Sequence, residues 1–193
     1  MGPMQNRDRR KVGLLTRIVK QWGAPERPPL LGVIWMAVLL GALVWLDDKH
    51  GGIFLVPPFA ATMSILLYLP GVSIAQPFAV VCGLVISAAI GTAMNAWLGP
   101  GPLVSIVAAI AALIVLPLLH CFHPPGVALA MCPPLFHLGP WFALVVALPF
   151  ALAAVISCAL ISRLLRSGMP YPAPLEARTG ADPIEAKALG QGG

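Results

Sequence analysis

At 193 residues and a formal net charge of +5, the chain is 59% hydrophobic and only 10% charged, where soluble domains carry about a quarter charged residues. Between Arg27 and Arg163 the only charged side chains are Asp47, Asp48 and Lys49, so that stretch cannot cover itself with a water-compatible surface. A soluble globular fold is excluded, and an all-α polytopic membrane helical bundle is expected.

In chain order, residues 1–27 form a basic segment carrying Arg7, Arg9, Arg10, Lys11, Arg17, Lys20 and Arg27. Its stretch 13–22 has the apolar spacing of a short interfacial helix, and its charges suit anionic lipid rather than nucleic acid. A transmembrane domain is expected over 28–166. Within it, Leu30–Leu46, Phe78–Leu98, Leu103–Leu119 and Trp141–Leu165 each approach the roughly 20 apolar residues that a bilayer requires. The first is read as stopped by Asp47-Asp48-Lys49-His50-Gly51-Gly52. Arg163 and Arg166 follow the last apolar run. Lys and Arg flanking spans are retained in the cytoplasm, which predicts cytoplasmic termini in a cell membrane, the bacterial inner membrane being expected. The Pro-, Ala- and Gly-rich tail 167–193 reads as disordered.

Two apolar segments, 53–70 and 121–140, are each interrupted near the start by a proline pair, Pro57-Pro58 and Pro124-Pro125. Proline removes a backbone donor and disfavours helix in the residue before it, so a helix can only begin there. From Pro58 to Leu69 there is room for roughly 16 Å of helix, about half a bilayer. Pro57-Pro58-Phe59-Ala60-Ala61 aligns without a gap on Pro124-Pro125-Gly126-Val127-Ala128. The chain therefore reads as a duplicated unit of span, proline-broken half-helix and span, a pattern that marks transport sites. The preferred reading is four crossings plus two re-entrant or short helices; the alternative is six crossings with inverted repeats. Residues 70–76 and 120–123 contain no Lys or Arg, so the charge rule does not decide between them.

A helix that begins at membrane depth aims its unpaired N–H groups and positive dipole end at whatever precedes it, which makes an anion site without a cationic side chain. The expected path for a small inorganic anion is lined by Pro58, Phe59, Pro124, Pro125 and Gly126. Thr62 and Ser64 would add hydroxyls, Gln76 an amide and His123 an imidazole. In the plainer reading the prolines only shape packing and His123 caps loop carbonyls. His120 and His137 are expected at the interface. His120, Cys121, His123, Cys132 and His137 also suggest zinc or copper ligands, without a carboxylate to support them. That motivates an alternative, a non-transporting module that binds a metal or a protein partner; neither cofactor nor resident metal is otherwise expected. Gly83, Ser87 and Gly91 share one helix face, and Ala143, Ala147 and Ala151 form a matching stripe. Both read as packing surfaces, within a protomer or between the protomers of a homo-oligomer. Cys82, Cys121, Cys132 and Cys158 lie in apolar segments and read as small packing residues. No enzyme constellation is present.

His123-Pro124-Pro125-Gly126 within such a chain resembles the HPP family of membrane proteins over residues 28–165. Pro58-Phe59-Ala60-Ala61-Thr62, Ala75-Gln76-Pro77 and Gly83…Ser87-Ala88…Gly91 support the resemblance. Ala60, Leu84, Val127 and Leu129 depart from the residues usual in the family and make the second half-helix more apolar. The resemblance implies a multi-pass membrane protein engaged in transport, and some plant relatives resemble nitrite carriers.

Overall fold

The structure of the chain, a computed structural model, describes residues 29–50, 57–164 and 171–173. The basic arm, its expected interfacial helix and most of the expected tail lie outside the described residues. The described residues form six helices: α1 (Leu30–His50), α2 (Pro57–Tyr68), α3 (Pro77–Leu98), α4 (Pro102–Leu118), α5 (Pro124–Phe136) and α6. The last is a π-helical turn, Ala143–Ala147, that runs into Leu148–Leu164. Helices α2 to α5 all open on proline, whose missing N–H costs nothing at a position that has no helical acceptor. Helix α1 runs on through Asp47, Asp48 and Lys49, beyond the expected stop. Those residues are not helix breakers; the glycine pair comes after them.

Among the described residues three helices are long and apolar enough to cross a membrane: Leu30–Lys49, Pro77–Leu98 and Ala143–Arg163. Helix α4, expected as a full span, has 17 residues, about 26 Å against a hydrocarbon core of roughly 30 Å. It stops because His120 adopts the left-handed conformation at φ 55°. The Cys121 N–H then reaches back to the Leu116 carbonyl at 3.0 Å, satisfying an end carbonyl as in a Schellman cap. His137, at φ 56°, ends α5 in the same way, with the Leu138 N–H on the Pro133 carbonyl at 3.1 Å. Histidine is among the few non-glycine residues that accept this conformation with modest strain.

Hydrogen bonds fix the direction of each helix. The Trp35 indole, early in α1, donates to Ser157 Oγ, late in α6, at 2.8 Å. Beyond α6 the Tyr171 N–H donates to Ser162 Oγ, and the Gln76 amide beside α3 donates to the Ala173 and Pro70 carbonyls. The His123 ring, at the start of α5, reaches the Ile74 carbonyl. The starts of α1, α3 and α5 and the ends of α2 and α6 thus share one end, the histidine end. At the other end Asn95 of α3 donates to the Leu138 carbonyl after α5, and the Gly101 N–H before α4 donates to the Pro134 carbonyl. Trp45, Trp97 and Trp141 are exposed there, as in the aromatic belt of a membrane interface. Successive helices alternate in direction. The two proline-broken segments are short helices, 12 residues in α2 and 13 in α5, as the expected unit of span, broken half-helix and span requires, and the alternation of directions relates the two halves by inversion.

Packing is unequal between the halves. Helix α5 wedges between α3 and α4 and lies parallel to α3. A methyl group added at Gly126 would sit 2.7 Å from Ser87 Oγ and 2.8 Å from the Gly83 carbonyl, and one at Gly91 would strike the Ala130 carbonyl. Small side chains let the two backbones meet, the main source of helix association in lipid. Helix α2 is held instead by the stacked rings of Phe59 and Phe150, with centroids 3.8 Å apart.

Candidate transport site

The site is the place where α5 begins. Non-helical backbone at residues 119–123 dips to the level of Gly83, about 9 Å along α3 from its start. A methyl group at Gly83 would lie 2.7 Å from both the Cys121 carbonyl and His123 Cβ. Only glycine there admits the turn, and irregular backbone at this depth is tolerated because protein buries it. His123 is the N-cap of α5, in extended conformation at φ −134° and ψ 107°. It is 0% exposed.

The extended cap aims the imidazole away from α5 and across to α2. Nδ1 lies 2.8 Å from the Ile74 carbonyl in the loop before α3, and Nε2 lies 2.9 Å from Thr62 Oγ1. Thr62, fully buried, also lies 3.1 Å from the Pro58 carbonyl on its own helix. One histidine therefore ties α2 and α5, the two helices that open on a proline pair, to the loop that joins the first half's last two helices.

The expected path residues separate. His123, Thr62 and Pro58 meet in one hydrogen-bonded group. Pro125 and Gly126 are buried, whereas Pro124 is exposed. Phe59 is committed to its stack on Phe150. Ser64 turns onto the Ala60 carbonyl at 2.9 Å, and Gln76 is engaged with Pro70 and Ala173. Gly83, Ser87 and Gly91 line the contact of α3 with α5; Ser87 Oγ is buried there with no hydrogen-bond partner. Ala143, Ala147 and Ala151 are buried in the main core. His120 and His137 are exposed helix caps. Among the described residues no three His, Cys, Asp or Glu side chains come together as a metal site. The Ile74 carbonyl was not foreseen, since a backbone acceptor carries no side-chain signal.

Bare backbone donors, the expected basis of anion binding, are not found at the start of α5. Pro124 and Pro125 have no N–H, and the Gly126 N–H already bonds the His123 carbonyl at 2.8 Å. The helices also lie side by side in opposite directions, so their starts do not face each other. What remains at the start of α5 is the positive end of its dipole and the imidazole in front of it.

The family model described as HPP, transmembrane region, matches residues 26–172. No curated protein and no solved structure matches the chain.

Proposed function

The chain belongs to the HPP transmembrane family, and we propose that it is a membrane transporter for a small inorganic anion, with nitrite the leading candidate by family resemblance. One observation carries the reading: the 2.9 Å contact between Thr62 and His123, fully buried, joins α2 and α5, the helices that open on proline pairs, where irregular backbone enters the bundle. Such broken elements at membrane depth accompany substrate paths. The hydrogen-bonded group is the closed gate, and its parting admits the anion to the positive end of α5. The low charge of the helices suits a monovalent ion that must leave again. Arg163 late in α6, at the histidine end, and Arg27, which precedes α1 in the sequence, support a cytoplasmic histidine end.

Uptake into proteoliposomes tests the proposal. Nitrite, nitrate or chloride should enter above the empty-vesicle background, and His123→Ala should lower the flux while the protein stays folded. Failure of all three anions with folded wild-type protein would refute the proposal. Metal analysis addresses the alternative, a non-transporting module that binds a metal or a protein partner, which stoichiometric zinc or copper would favour.

A further inference from the structure

We propose that binding of the anion is coupled to protonation of His123, with Thr62 the hydroxyl switch that lets the ring take the proton. This rests on the transport reading above and adds the coupling ion to it. A carbonyl can only accept, so His123 Nδ1, 2.8 Å from the Ile74 oxygen, carries the hydrogen of the neutral ring. Nε2 is then a bare lone pair, and the Thr62 hydroxyl at 2.9 Å donates to it. The Pro58 carbonyl, 3.1 Å from Thr62 Oγ1, is the hydroxyl's second acceptor. When a proton arrives at Nε2, the new N–H donates to Oγ1 and the hydroxyl hydrogen swings to Pro58. Each donor keeps an acceptor in both states, and a single O–H rotation separates them.

The hydrogen bonds accommodate the proton, but among the described residues no carboxylate nearby balances its charge. The ring is surrounded by α2, the 3₁₀ turn Ser73–Ala75, α3 and the turn before α5. Their titratable side chains are Tyr68, Cys82, His120 and Cys121, with Cys132 farther along α5. None is acidic. The two aspartates among the described residues, Asp47 and Asp48, stand at the opposite end of α1 from Trp35 and so at the tryptophan end. A buried cation without a partner is costly. An anion at the start of α5 removes that cost and gains the helix dipole as well. Proton and anion therefore bind as a neutral pair, each raising the affinity for the other.

Proteoliposomes containing the full chain test this with nitrite, nitrate and chloride as probes at sub-saturating concentration, empty vesicles being subtracted. From about pH 6 to pH 8, wild-type uptake should fall by up to about tenfold per unit, the limit for one linked proton. His123→Gln and Thr62→Val should each flatten that dependence to within about twofold across the range, while Thr62→Ser should retain it. Wild-type uptake that ignores pH, or an unchanged dependence in His123→Gln, overturns proton coupling and leaves transport standing. If no anion moves, the transport reading falls and this inference with it. Binding gives an answer that depends on no variant's folding. Sodium nitrite added to purified wild-type protein in weakly buffered detergent should take up about one proton per anion bound, and binding without proton uptake overturns the coupling.

Discussion

At the residue scale, glycine positions separate contact from space. A methyl group at Gly91 would strike the Ala130 carbonyl and lie 3.0 Å from Pro133 Cδ, whereas one at Gly41 on α1 would meet nothing within 4 Å. Gly91→Ala is therefore expected to lower stability by about 1–3 kcal/mol, the usual cost of overpacking. Gly41→Ala should be neutral or gain up to about 1 kcal/mol from helix propensity. Unfolding of both variants in one detergent measures the difference. The bond from Trp35 to Ser157 is a smaller matter. Interhelical hydrogen bonds in membranes average about 0.6 kcal/mol, so Trp35→Phe should cost little more than that in the same assay.

At the element scale, α6 carries an extra residue. The Leu148 N–H bonds the Ala143 carbonyl, five residues back, and Pro149 one position later has no N–H to give. The π turn absorbs that residue and leaves Phe142, Val146 and Phe150 all buried in the same core. Deleting Leu144, exposed within the π turn, should restore a plain α-helix with both flanks in register. Deleting Ile156, equally exposed in the regular part, should turn everything on one side of it by about 100°. The expected result is a folded, monodisperse Leu144 deletion and an Ile156 deletion that aggregates or melts far lower, measured by size exclusion and thermal unfolding.

For the whole molecule, the alternation of helix directions is open to direct measurement. With the four native cysteines replaced, single cysteines at the exposed positions Ser73 and His120 should react with an impermeant thiol reagent from one side of the membrane. Cysteines at Pro100 and Gly139, also exposed, should react from the other. Labelling of His120 and Gly139, which flank α5, from the same side would make α5 re-entrant. The end of the chain also belongs to this scale. Tyr171, in the segment read as a disordered tail, is buried in the main core, because a large aromatic ring close behind α6 can fold back onto it. The family match, which extends to residue 172, includes it.

Much of the fold was legible in the residues themselves. Lipid demands long apolar runs and internally satisfied backbone, so composition alone implied a helical membrane bundle, and Pro57, Pro77, Pro102 and Pro124 marked the starts of four helices. The small-residue face of Gly83, Ser87 and Gly91 was visible from its spacing, but its partner α5 was not. The site was only partly legible. His123 and Thr62 stood out as polar residues in apolar runs, yet Ser64 and Gln76 looked equally suitable and bond elsewhere. The direction in which α2 and α5 run, and the pairing of His123 with an acceptor 49 residues away at Ile74, were decided by tertiary structure alone. Apolar periodicity reports how deeply a residue is buried, whereas the neighbours it meets there depend on which backbones approach closely enough to touch.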